Sequence, residues 1–221
     1  MPLFEVRRGQ GTGYGGSSQP GARMTTMGEL VAVDFITASL LDGRGYQDRA
    51  GTIATGLSAQ SAIADATADM CQDAALATTI IPFRFRIAVR GVATATTLQI
   101  ALKAVGTVST SGTAFTPLPL LQGGAASGQI ARVQADTVVV AAEVDTTTRR
   151  LFEFEDVTTQ TPTTIGNAQG LVTVAANAAD LAYIGVGPCC VYVQVASTTA
   201  QALYFATLDF LQFQTLMVSP S

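Results

Sequence analysis

Short runs of alternating apolar and polar residues recur along the chain from about residue 29 to residue 213. The clearest run lies at 82–90, where Phe83, Phe85, Ile87 and Val89 alternate with Arg84, Arg86, Ala88 and Arg90. Successive side chains of a β-strand point to opposite faces, so this pattern predicts a strand with one buried face. Similar runs occur at 98–103, 152–155, 189–195 and 203–213, the last of them apolar on both faces. Such runs, separated by Gly, Pro, Ser and Thr clusters, predict an all-β protein.

Weaker patterns at 30–40, 46–55 and 130–142 bring the predicted strands to eight, with a further short strand near 171–174. The stretch from Ser58 to Ala77 differs, because small apolar residues recur in it at a spacing of three to four. These residues are Ala59, Ile63, Ala66, Met70 and Ala74. The spacing predicts one short amphipathic helix between the second and third strands.

The ends of the chain have a different composition from its middle. Residues 1–28 are rich in Gly and are predicted to form a flexible arm, whereas residues 29–215 form one domain and residues 216–221 a C-terminal tail. Within the domain, 106–128 and 158–187 are predicted to be long loops. Loops of that length usually carry contacts to partners.

The alternation also predicts a core and a charged surface. The predicted core residues are Phe83, Phe85, Ile87, Phe152, Phe154, Val191 and Val193. The opposite faces of the strands at 82–90 and 149–157 carry Arg84, Arg86, Arg90, Glu153 and Glu155. If these two strands are neighbours, the arginines meet the glutamates across the outer surface of the sheet.

Composition argues against catalysis and against a resident cofactor or metal. The chain has no His, which removes the commonest acid/base catalyst and metal ligand, so we expect it not to be an enzyme. Its three cysteines cannot build a disulfide framework, and Cys189 and Cys190 are expected to be a buried pair of reduced thiols. No secretory signal and no apolar run long enough to span a membrane are visible, so synthesis in a reducing cytoplasm is expected.

Three local patterns have alternative chemical interpretations. Gly11, Gly13 and Gly16 match a dinucleotide fingerprint, but the residues that follow do not start a helix, so a flexible arm is favoured. Glu153 and Glu155 are spaced like a glycosidase pair, but solvated or ion-paired acids are commoner on a strand. Asp65, Asp69 and Asp73 form an acidic stripe on the predicted helix. A solvated face is the simplest interpretation; a contact to a partner's arginine or a loose calcium site is the alternative.

Eight strands, one helix and two long loops resemble the single jelly-roll capsid proteins of icosahedral viruses, including tailless membrane-containing phages. The resemblance covers about residues 29–213. It implies an eight-stranded antiparallel jelly roll whose strands, lettered B to I, form sheets BIDG and CHEF, with the third strand beside the sixth. It also implies a virion subunit, made in the host cytoplasm, whose partners are other copies of itself and other capsid proteins rather than a small-molecule substrate.

The resemblance leaves some partners and functions open. The arm carries only Arg7, Arg8 and Arg23 against Glu5, so we expect no strong nucleic-acid binding by it. The sequence makes no prediction about contact with a membrane. The alternative functions are a phage head-decoration or tail-associated β protein, and a carbohydrate-binding or hydrolytic β-sandwich. Carbohydrate-binding modules usually expose Trp and Tyr on which sugars stack, so the absence of Trp argues against the carbohydrate-binding alternative.

Overall fold

The chain folds into two antiparallel β-sheets packed face to face, with one short helix among the described residues. The computed structural model describes residues 22–24, 30–32, 34–52, 55–64, 66–89, 96–158, 172–198 and 202–214. The prediction of an all-β sandwich is confirmed at this level. The predicted count of eight strands is wrong, because the connections contribute short strands of their own.

The strands are numbered in chain order. They are β1 Ala22–Met24, β2 Leu30–Ala32, β3 Gly45–Ala50, β4 Leu57–Ser58, β5 Thr67–Ala74, β6 Thr78–Val89, β7 Thr96–Val105, β8 Thr113–Phe115, β9 Leu118–Pro119, β10 Ala131–Val139, β11 Arg149–Thr158, β12 Val172–Asn177, β13 Gly185–Val186, β14 Cys189–Ser197 and β15 Leu203–Gln214. One sheet has the order β11-β7-β14-β5-β10-β8 and is called the six-stranded sheet. The other, the seven-stranded sheet, has the order β12-β6-β15-β3-β9, with β13 beside β6 and β4 beside β15. β1 pairs with β2 alone, and the rest of the predicted arm at 1–28 lies outside the described residues.

The main core lies between the two sheets. Phe85, Ile87, Val191 and Val193 are buried in it, and Phe152 and Phe154 pack against it partly buried. The rings of Phe85 and Phe152 lie 6.0 Å apart across the sandwich. Full burial of a side chain of this size contributes about 1.5–3 kcal/mol, so this contact between sheets is a main source of stability.

Phe83 is buried but departs from the simple alternation. The register of β15 against β6 shifts between Asp209 and Phe210, whose partners are Arg84 and Pro82, so Phe83 falls at the irregularity. Its side chain lines a groove near the helix instead of joining the cluster that contains Phe85.

The predicted helix at 58–77 is wrong. Thr67–Ala74 is strand β5, hydrogen-bonded to β14 on one side and β10 on the other. The small residues at helical spacing are compatible with a helix, but pairing with two distant strands decides the conformation. The observed helix, α1, is Phe35–Leu41, where a strand was predicted. Asp34 caps it by accepting the Thr37 backbone N–H at 3.0 Å, an arrangement that favours a helix start.

The predicted adjacency of the strands at 82–90 and 149–157 is also wrong. β6 pairs with β12, β13 and β15, whereas β11 pairs with β7 in the other sheet. Their aromatic inner faces therefore meet across the core, while their charged faces point away from each other on opposite sides of the sandwich. The error arises because the prediction counts the run at 130–142, which is β10, among the eight strands and counts β12 only as an extra.

A second, smaller core covers the outer face of the six-stranded sheet. It consists of Ala68, Cys71, Val105, Val138, Val140, Cys190 and Tyr192. Residues 138–144, which we call the covering segment, lie over this face. An ion pair between Lys103 and Glu143 joins the covering segment to β7, and Arg150 bonds the same carboxylate at 2.7 Å. Lys103, the only lysine, leaves the sheet on its outer side, where the covering segment buries it.

Candidate functional site

Asp73 is the centre of a buried polar cluster on the outer face of β5. Its carboxylate accepts the Ser109 backbone N–H at 2.8 Å and the Ser109 hydroxyl at 2.9 Å. The Cys71 thiol lies 3.5 Å from the same carboxylate, and the Arg132 Nε atom lies 3.7 Å from it. Burial raises the pKa of Asp73, while the bonds from Ser109 oppose that rise. These contacts fasten the loop after β7 to the sheet.

The same cluster brings together ligand types that bind metals. The Sγ atoms of Cys71 and Cys190 and a carboxylate oxygen of Asp73 all lie within 4.8 Å of one another. Burial raises the pKa of the Cys71 thiol well above its ordinary value, and the neighbouring Cys190 raises it further. Arg132 adds a positive charge, and Asp73 already has four hydrogen-bonding or ionic contacts from three residues. The arrangement therefore favours a neutral Cys71 thiol and a satisfied carboxylate over a bound cation.

The two described residues of the acidic stripe, Asp69 and Asp73, are buried. Both lie on β5, and Asp65 lies outside the described residues. Asp69 accepts the Val195 backbone N–H at 2.6 Å and an N–H of the Gln60 side chain at 3.3 Å. Burial raises the pKa of Asp69 to about 6, against these hydrogen bonds, which lower it. The burial of Asp69 and Asp73 argues against the predicted contact with a partner's arginine.

The predicted charged face is divided between the two sheets. Arg84 pairs with the buried Asp209 on the outer face of the seven-stranded sheet. Glu155 accepts a hydrogen bond from Gln99 at 2.9 Å on the outer face of the six-stranded sheet. On that same face Glu153 lies 3.6 Å from Arg150. Arg90 lies outside the described residues, and no contact joins the described arginines of β6 to these glutamates.

One end of the sandwich exposes apolar side chains on three loops that contain no charged residue, and Arg44 and Arg149 lie beside these loops. The β5–β6 turn, the 106–130 connection and the 184–187 loop meet there, because the Gly187 N–H bonds Thr78 and the Ala75 N–H bonds Gln129. We call this surface the uncharged end. It is formed by the exposed side chains Leu76, Val108, Ile130, Ile184 and Val186, of which Leu76 is 78% and Ile184 57% exposed.

The composition of the chain explains why these three loops lack charge. The runs 74–83, 104–131 and 181–208 contain no Asp, Glu, Lys or Arg. The runs 104–131 and 181–208 overlap the loops that the sequence predicts to contact partners. Only the strand pairing shows that all three runs meet at one end of the sandwich. Counting charge along the chain is the signal that would have pointed to them.

An apolar groove lies beside this end, between α1 and the segment that precedes β13. It has a volume of about 360 Å³ and is lined by Phe35, Phe83, Tyr183, Ile184 and Leu211 among others. Phe35 is half exposed and stacks on Phe213 with ring centroids 5.8 Å apart. The groove extends the apolar surface of the uncharged end onto the seven-stranded sheet.

No family model matches the chain, and neither a curated protein sequence nor a solved structure is significantly similar to it. Among the described residues, no helix has the length and apolar character needed to cross a membrane.

Proposed function

We propose that this chain is a structural subunit of a virus particle, a jelly-roll capsid protein that acts by self-association. The observation that carries the proposal is the order of the strands. If β3, β5, β6, β7, β11, β12, β14 and β15 are lettered B to I, the sheets read β3-β15-β6-β12 and β5-β14-β7-β11. These orders match the BIDG and CHEF orders of a jelly roll, which supports the proposal, and β8, β9 and β10 are then additions in the connection between E and F.

The uncharged end supports a role in association. Large apolar patches on a soluble protein mark surfaces that contact other molecules, and here the surrounding loops offer no charge to keep copies apart. Many modest interfaces of this kind stabilise a shell through multivalency, so no single contact has to be strong. The buried Asp73 cluster contributes by holding the loop after β7 in place at this end.

The test is a charge introduced at the centre of the uncharged end. Leu76→Arg changes a side chain that is 78% exposed, so we expect the fold to be kept and self-association to fall sharply. Leu203→Arg is the matched control, because Leu203 is also exposed but pairs with Ser58 at the other end of the sandwich. Sedimentation velocity reports assembly, and circular dichroism reports the fold.

Oligomers that persist in Leu76→Arg would contradict this assignment of the interface, and so would oligomers that are lost equally in Leu76→Arg and Leu203→Arg. A wild-type chain that sediments as a monomer at high concentration and physiological salt would contradict the structural function itself.

A further inference from the structure

The outer face of the seven-stranded sheet carries exposed arginines without acidic partners. Arg86 on β6 and Arg49 on β3 both pair in register with Thr207 on β15, so they flank it in one row across three strands. Both side chains are exposed, and neither has a hydrogen-bonding or ionic side-chain partner in the described part of the chain. Two strand spacings separate their Cα atoms by about 9.5 Å, which lets both guanidinium groups reach one oxyanion.

The neighbouring rows add one acid and one aromatic ring. In the row toward the helix, Asp209 is bonded by Arg84 and by the Gln47 side chain, so its charge is already neutralised. In the row on the other side, the half-buried Phe205 pairs with Ala88. Arg49, Arg86 and Phe205 therefore share one face of the sheet. The two arginines flank Thr207, and Phe205 lies two residues before Thr207 on β15.

We propose that this row is a binding site for single-stranded nucleic acid. Arg49 and Arg86 hold backbone phosphates, and Phe205 offers a ring on which a base stacks. Arginine contacts to phosphate combined with aromatic stacking are the chemistry of sequence-independent single-strand binding. The net charge of −4 does not prevent this, because the site depends on the local arrangement of charge.

The carboxylates of a second copy are the other candidates for these arginines, and the contacts argue against them. Glu153 and Glu155 are engaged within their own subunit by Arg150 and Gln99. Their spacing along one strand is about 6.5–7 Å, which differs from the spacing of the arginines across strands. The site goes beyond the proposed function and does not depend on it.

The test measures binding of a fluorescein-labelled oligothymidylate of about 12 nucleotides by anisotropy, over a series of salt concentrations. If two phosphates are neutralised, the logarithm of the affinity falls with the logarithm of salt with a slope of about −1.4 from these contacts. We expect Arg49→Gln/Arg86→Gln to remove that part of the slope. Phe205→Leu should weaken binding about fivefold or more with the slope unchanged.

Arg149→Gln is the matched control for Arg86→Gln, because Arg149 is an exposed arginine on the other sheet. The proposal is overturned if the wild type does not bind at low salt, or if the double variant keeps its affinity and slope. Competition by inorganic phosphate with no effect of Phe205→Leu would assign the site to free phosphate and overturn the nucleic-acid proposal. Sedimentation of the same samples separates the two proposals. If Arg49→Gln/Arg86→Gln loses self-association but still binds the oligothymidylate, the arginines belong to a contact between subunits.

Discussion

Replacing Asp69 by Asn should make the stability of the protein less dependent on pH. Asp69 is fully buried, and its pKa of about 6 compares with an ordinary value of 3.8. Because the pKa is raised in the folded state, the stability that the group contributes is fully present below pH 3.8. It is lost as the pH rises through about 6. A difference of this size corresponds to about 3 kcal/mol.

The Asn variant has no proton to lose and keeps one side-chain oxygen to accept the Val195 N–H. We therefore expect the wild type to lose about 2 kcal/mol more than Asp69→Asn between about pH 4 and pH 7. Some pH dependence should remain in the variant, because burial also raises the pKa values of Asp48 and Asp73. Urea unfolding followed by circular dichroism at dilute protein concentration measures these free energies.

Asp145→Asn is the control, because that carboxylate is 89% exposed and its removal should leave the pH dependence in place. An Asp69→Asn curve parallel to that of the wild type would show that Asp69 is ionised in the folded state. The argument from burial would then be refuted.

Two further predictions concern the core and the buried ion pair. Phe85→Ala should lower the free energy of unfolding by about 3–5 kcal/mol, and Phe35→Ala, at a half-exposed ring, by much less. Equal losses in urea unfolding would contradict the assigned core. Glu143→Gln should destabilise by about 3 kcal/mol, because it leaves Lys103 buried without its carboxylate. Lys103→Met should cost less, since Glu143 keeps Arg150, and the reverse order would show that Lys103 is hydrated.

Strands with one buried face could be predicted from the sequence because each carries its own evidence. The alternation of Phe85 and Ile87 with Arg84 and Arg86 is a local pattern, and it gave both the strand β6 and the buried side. β5 has no such pattern, because Asp69 and Asp73 occupy buried positions on it. The groups that bond these two carboxylates, in Val195 and Ser109, are distant in sequence. Without those partners in view, the two acids in residues 67–74 look like the polar side of a helix.

The candidate surfaces depended on sheet order, which local patterns do not contain. Arg86 and Glu153 each lie on an outward strand face, but the sequence does not say that these faces belong to different sheets. The same holds for Arg49 and Arg86, which are 37 residues apart and become neighbours of Thr207 only through β15. Asp34 is a sequence signal for the start of α1, but the apolar residues after it fit a strand equally well, so the sequence does not distinguish the two.

The connection between β7 and β11 makes the two lateral sides of the sandwich unequal. It places β10 and β8 beside β5 and places β9 beside β3, so one stretch of chain ends both sheets on the same side. The terminal strands there are only two or three residues long, and short edge strands with Pro119 offer little backbone for another chain to pair with. On the other side, no described strand pairs with the free side of β11, which is ten residues long. On this side the terminal strands are β11 and β12, so sheet extension between copies would be directed there, and at β11 Glu153 and Glu155 limit it to partners of suitable charge.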